Sequence, residues 1–154
     1  MRGFDNTNVA VMVNGVPMND MENGNVYWSN WAGLSDVARN IQNQRGLGAS
    51  KVSAPSVGGT INVVTRSTDS KKGGMVSYAL GNDNMNKMMF SVSTGMSKSG
   101  WALTLLGSKS RGNGYAQGLD FTGYTYFMNI SKRLNDAHQL SLTAFGAPQT
   151  HYQR

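Results

Sequence analysis

Cysteine is absent from this 154-residue chain, so it can hold neither a disulfide nor a thiolate metal site. Charge is thin: only 14% of residues are charged, with 8 acids against 14 bases. The net charge of +6 is scattered singly or in pairs, as at Lys71-Lys72 and Lys132-Arg133, with no basic helix or stripe. That pattern excludes a nucleic-acid partner. Long apolar runs are missing too; none approaches the ~18 residues of a membrane-crossing helix. His138 and His151 stand without partners at ligand spacing, so no metal site is expected. Gly46-Leu47-Gly48 lacks the third glycine of a dinucleotide loop and does not open a helix. No nucleophile, base and orienting acid can be assembled, which leaves no catalytic residue, no enzyme activity and no cofactor to expect.

What the chain has in quantity is glycine, at 19 residues, together with serine, threonine and asparagine. Low charge with many small polar residues fits a meandering β protein better than a disordered tail. Val9 to Val13 is apolar throughout and reads as a strand buried on both faces, closed by the turn signal Asn14-Gly15. Met18 to Trp31 is polar, aromatic and aperiodic, a loop. Leu34 to Ile41 carries a helix pattern, with Ser35 as N-cap and Asp36 in the first turn. Ile41 to Arg45 alternates as a second short strand. The Gly58-Gly59 pair then releases the backbone into Thr60-Ile61-Asn62-Val63-Val64-Thr65, β-branched at every position but Asn62, and so a strand, covered in part on each face.

Beyond a Ser/Lys/Gly-rich junction at Ser67 to Gly74 the texture becomes strict alternation. Val76, Tyr78 and Leu80 share one side; so do Phe90, Val92, Thr94 and Met96; Trp101, Leu103 and Leu105; Tyr124, Tyr126, Met128 and Ile130; and Leu140, Leu142 and Ala144. Small neutral residues lie opposite, with Phe127 the exception. Segments of roughly 9–11 residues with this period suit tilted membrane-crossing strands. Ser97 to Gly100 and Asn135 to Ala137 are tight turns, whereas Gly81 to Asn86 and Gly112 to Asp120 are longer. Short turns on one rim and longer loops on the other is the pattern of an outer-membrane barrel. Tyr78, Trp101, Tyr124 and Tyr126 fall near strand ends, where an interfacial girdle sits.

The stretch Gln44-Arg45-Gly46, followed by a small-residue loop and Gly58-Gly59-Thr60-Ile61-Asn62-Val63-Val64-Thr65-Arg66, resembles the plug domain of TonB-dependent outer-membrane receptors. Arg2-Gly3-Phe4 is similar to that family's earlier Arg-Gly-Phe step. Asn14-Gly15-Val16-Pro17 matches its Asp-Gly-Val-Pro with an amide in place of the acid. Asn43 takes a usually apolar position, and Val52 to Ser56 replaces the usual Tyr-Gly-Ser. The resemblance implies a β-rich chain in two parts: an α+β plug portion, 1–72, and the first strands of a transmembrane β-barrel, 73–154. That second part is an antiparallel meander of roughly five strands, an incomplete barrel, since plugged barrels have ~22.

The resemblance further implies a receptor in the cell outer membrane, in contact with its lipid, importing a scarce nutrient of the siderophore, cobalamin or glycan class. Energy would come from the TonB complex through a segment N-terminal to Met1, and the export signal would lie upstream as well. Arg2 and Arg45 would lock plug to barrel by pairing with wall glutamates; spacing alone favours exposed turn arginines. Tyr27, Trp28, Asn30 and Trp31 would contribute to the ligand site, since aromatics and amides suit sugars, chelates or peptides. An equal alternative has the two tryptophans packing plug against wall. At the level of the whole chain the alternatives are a soluble lectin-like β module, a small plugless pore, and a non-functional truncated receptor.

Overall fold

A computed structural model describes residues 5–31, 33–46, 57–65 and 71–152, without the side chains of residues 29 and 30. The chain divides into two compact units, one formed by Met1–Trp28 with Ala38–Thr65, the other by Ser29–Val37 with Arg66–Arg154.

The first unit is built on a four-stranded sheet: β1 (Ala10–Val13), β2 (Val16–Pro17), β3 (Ala38–Arg45) and β4 (Gly59–Thr65), in the order β2-β1-β4-β3. β1 runs parallel to β4, and β2 and β3 close the two edges antiparallel to their neighbours. The apolar run Val9 to Val13 ends up central for the reason its sequence suggests: Val11 and Met12 are fully covered, on opposite faces of the pleat. Val9, Val11 and Val26 form a core that Met18 and Ile61 complete. β4 is covered more fully than expected, with Thr60, Asn62, Val63 and Thr65 all buried.

Asparagines supply the hydrogen bonds that this short-stranded sheet cannot make with backbone alone. Asn14 adopts a left-handed φ of 52° ahead of Gly15 at 83°, as the turn demands. Its side chain donates to Thr65 Oγ1 at 2.8 Å and accepts from Thr65 N at 2.9 Å. Asn62 accepts from Gly15 N at 3.1 Å and donates to Gln42 Oε1 at 3.0 Å. Asn19 imitates a neighbouring strand: its Oδ1 accepts from Val11 N at 2.8 Å while its Nδ2 donates to the carbonyls of Val9 and Gly24.

The helix foreseen over Leu34 to Ile41 is shorter. α1 covers only Leu34–Val37, and the chain passes directly into β3 at Ala38. Residues from Asn40 onward pair in register with β4, so ladder bonds replace the helical ones that asparagine at 40 and 43 would support poorly.

The second unit is an antiparallel meander of β5 (Gly73–Leu80), β6 (Asn86–Ser93), β7 (Trp101–Gly112), β8 (Phe121–Arg133), β9 (Gln139–Gly146) and β10 (Gln149–His151). β9 and β10 lie along the same side of β8 in one continuous register, Gly146 opposite Tyr126 and Gln149 opposite Gly123. They are one strand interrupted at Ala147-Pro148, where proline has no N–H for the ladder; the Pro148 carbonyl still accepts from Tyr124 N at 2.8 Å. Counted so, the described residues form a five-stranded meander with open edges, not a closed barrel.

Register sets every apolar row on one side. Val76, Phe90, Gly107, Tyr126 and Gly146 stand opposite one another in turn, as do Val92, Leu105, Met128 and Ala144, and then Leu103, Ile130 and Leu142. That side is exposed: Val76, Tyr78, Leu80, Phe90, Tyr126 and Leu142 are all uncovered. The other side is shielded and polar, with Thr104, Thr125, Asn129 and Ser131 buried. Asn129 Nδ2 donates to Ser141 Oγ and Thr143 Oγ1 at 2.9 and 2.8 Å, and Ser131 Oγ donates to Ser141 Oγ at 3.1 Å. Two boundaries differ from expectation. β6 starts at Asn86 and stops at Ser93, so Thr94 and Met96 lie past it, and Thr94 Oγ1 accepts from Leu103 N where a strand carbonyl would. Gly81 to Asn86 is not a long loop but a tight turn, with Asp83 and Asn84 both at φ 55° and Gly81 N bonded to the Met85 carbonyl at 2.8 Å.

Candidate functional site

The segment 29–37 belongs with the meander, and its docking there is the most specific side-chain arrangement of the second unit. Leu106, Phe127 and Phe145 face one another across β7, β8 and β9 and make an apolar strip on the shielded side. Trp31, at the end of the 3-10 turn Trp28–Trp31, stacks on Phe145 with ring centroids 6.0 Å apart and planes 8° from parallel. Gly33 comes so close to β8 that a Cβ would stand 2.0 Å from Thr125 Oγ1, so only glycine fits. One turn later Leu34 and Val37 are buried, and Asp36 points its carboxylate at the sheet. It accepts from Ser108 Oγ at 2.7 Å and forms an ion pair with Lys87 Nζ. The Asp36 side chain is only 8% exposed and that of Lys87 27%. Removing one partner of so covered a pair would leave a buried charge uncompensated.

This charged latch was not foreseen. Lys87 reads in the sequence as one more lysine near a strand end. The signal lay in its parity: counted back from Ser93 and Ser91, position 87 falls on the small, neutral side, where a cation requires an acid.

The residues expected to bind ligand divide. Trp31 is consumed by packing on Phe145. Trp28 and Tyr27 are 48% and 50% exposed. Tyr27 Oη accepts from Asn23 Nδ2 at 2.9 Å, at the end of a turn in which Asp20 Oδ1 accepts from the backbone N–H groups of Glu22 and Asn23. The side chain of Asn30 lies outside the described residues. The geometry thus offers two half-exposed rings with a neighbouring amide, able to stack on a planar or sugar-like group and hydrogen-bond its edge. Arg45 ends β3 opposite Gly59, exposed, and makes no ion pair among the described residues. Arg2, and with it the expected closeness of the two arginines, lies outside the described residues. Among the described residues no cluster of potential metal ligands occurs.

A meander with an apolar exposed side and a polar shielded side has the alternation of an outer-membrane barrel wall. No family model matches the chain. It is 27% identical over 143 residues to the vitamin B12 transporter BtuB of Vibrio vulnificus (strain CMCP6), covering 88% of this chain and 23% of that protein. Its fold is similar to the pyoverdine outer membrane receptor FpvA of Pseudomonas aeruginosa PAO1, with a TM-score of 0.74 at 16% identity, over 94% of this chain and 21% of the receptor. It is likewise similar to the siderophore receptor PiuA of Acinetobacter baumannii, with a TM-score of 0.72 at 16% identity, over 94% and 19%. The chain therefore spans less than a quarter of each of these proteins. By sequence it is thus similar to an outer-membrane vitamin B12 transporter, and by fold to outer-membrane siderophore receptors. The lectin-like alternative gives way, because a soluble sandwich buries its apolar side and this sheet exposes it.

Proposed function

We propose that residues 1–72 are the later part of a plug domain and 73–154 the first strands of a transmembrane barrel, in a receptor that imports a scarce nutrient with energy from the TonB complex. The observation that supports this most is the contrast between the sheets, one with its central strands β1 and β4 covered on both faces, the other apolar on its exposed side. The nutrient falls in the class of siderophores or cobalamin, by likeness to proteins whose names carry those ligands; a glycan would suit the same rings. Tyr27 and Trp28 form the ligand-facing surface, Asn30 keeps its expected ligand role, and Trp31 takes the packing role. Arg45, exposed and unpaired among the described residues, is available to a wall carboxylate, and Arg2 is its companion in that lock.

The test uses the receptor that carries this chain, in cells, with labelled ferric siderophore and labelled cobalamin as probes. Uptake of one probe should stop when a protonophore collapses the inner-membrane gradient, while surface binding persists. Trp28→Ala should weaken that binding about tenfold, in line with loss of one stacking aromatic, whereas Trp31→Ala should lower stability and leave affinity within about twofold. Uptake indifferent to the protonophore would overturn the energy coupling; binding indifferent to Trp28→Ala would overturn the ligand surface.

A further inference from the structure

The exposed side of the meander is not uniformly apolar. Toward the rim that carries the Gly112 to Asp120 connection it holds a hollow of about 580 Å³. Its floor is made by Gly107: a Cβ there would stand 2.5 Å from Phe90 Cε1, so the Phe90 ring lies across the glycine instead of beside a side chain. Tyr126 on one side and Tyr78 with Met88 on the other raise apolar walls. Above them, on the outward row that continues Leu103, Leu105 and Gly107, Lys109 and Arg111 both point outward from β7. Two positions apart on one face, they lie about 7 Å from each other along the strand at ~3.3 Å per residue.

Both cations are exposed and neither forms an ion pair among the described residues. Lys109 Nζ sits 5.3 Å from the centre of the Tyr124 ring, and Arg111 Nε donates to Asn86 Oδ1 at 3.2 Å. These neutral contacts orient the charges without cancelling them. The acids of the same rim, Asp83 and Asp120, border a separate polar hollow with Asn113 and Tyr115. In a membrane an uncompensated cation beside hydrocarbon is costly, and the inexpensive remedy is an anion at headgroup depth. The first contact draws the ammonium toward β8 and the second draws the guanidinium toward β6, so the two charges flank β7, and a phosphate between them meets the guanidinium as a planar fork and the ammonium as a point charge.

The geometry points to a binding site for a phosphorylated lipid of the outer-facing leaflet, its phosphate held between Lys109 and Arg111 and one acyl chain lying in the hollow over Gly107. The occupant is a lipid and not a free anion, because the larger part of the site is apolar and continuous with the lipid-facing rows. Toward the opposite rim Lys132 is held differently: it lies over the Trp101 ring at 4.9 Å and donates to the Ser99 carbonyl at 2.6 Å.

The receptor carrying this chain, reconstituted in phosphatidylcholine nanodiscs doped with diphosphorylated lipid A or with the same lipid stripped of phosphate, provides the test. Native mass spectrometry then counts retained lipid. Retention of the phosphorylated form should exceed that of the stripped form, and K109Q/R111Q should lower it about tenfold while K132Q leaves it unchanged. Equal retention of the two lipids, or no loss in the double variant, overturns the site. Full displacement by millimolar inorganic phosphate also overturns it, in favour of a soluble-anion site. If the double variant does not assemble, the two lipids compared on the unmodified receptor decide the matter. A failure here leaves the nutrient-import reading intact, since that reading is tested by uptake.

Discussion

The two sheets use the same backbone pairing to opposite ends. In the first, the central strands lose both faces to the interior, and the polar groups so trapped are answered by asparagine side chains at 2.8 to 3.1 Å. In the second, one face keeps its threonines, serines and Asn129 under cover and the other turns leucine, tyrosine and phenylalanine outward. For a sheet in water the second arrangement is inside out. It is favourable only where the outer solvent is hydrocarbon. In the function proposed above, the first sheet is thus held by burial that needs no membrane, and the second by inward hydrogen bonds together with lipid.

Five substitutions, two of them paired, would break or sharpen that contrast. Lys87→Met leaves the Asp36 carboxylate covered with Ser108 as its remaining partner. The cost should approach the lower end of the ~3–5 kcal/mol for a broken buried pair, because Lys87 is 27% exposed. It is to be read as a lowered unfolding midpoint of the receptor in detergent. A companion Asp36→Asn in the same protein should recover most of the loss; no recovery would mean the pair is incidental. Met12→Ala, at a side chain with no exposure, should cost about 2–5 kcal/mol. That loss should be the same in detergent and in bilayers, since the first sheet does not use lipid. Leu142→Arg, on the outward row, should cost about 2–4 kcal/mol in bilayers. A much smaller effect in lipid than for Met12→Ala would place Leu142 off the membrane-facing side. Asn14→Asp removes the donated bond to Thr65 Oγ1 and keeps the acceptor, so about 1–3 kcal/mol is expected. Hydrogen exchange at Gly15 and Thr65 should report it, with the meander unchanged.

Much of this architecture is legible in the sequence, because its dominant signals are local. Period-two alternation from Val76 to Ala144 fixes which side chains share a face, and register then carries that assignment across the sheet. The five-residue apolar run at Val9 announces a central strand for the same reason. What escaped is non-local. The end of α1 at Val37 is decided by β4, more than twenty positions later, which offers residues from Asn40 onward a complete ladder. The pairing of Asp36 with Lys87 spans fifty-one positions and has no motif. Trp31 and Trp28 look alike in the chain; only the placement of Phe145 on the shielded side assigns one to packing and leaves the other exposed. Asp83-Asn84 reads as loop because two consecutive left-handed non-glycine residues are uncommon.

The clamp at Asn14 also bears on how the protein ages. An asparagine followed by glycine is prone to lose its amide, when the next backbone nitrogen attacks the side-chain carbonyl carbon, expels ammonia and closes a succinimide that water opens to aspartate or isoaspartate. Here Gly15 N is occupied by Asn62 Oδ1, and the Asn14 amide is gripped at both ends by Thr65. The attacking and attacked atoms are thus each tied to a different neighbour on β4. The folded turn protects itself, and it does so through the same strand that locks β1 in place. Any opening of that strand exposes a chemical clock, and a chain that has once run it down returns with aspartate at position 14, or with an extra methylene in its backbone where a tight turn has no room for one.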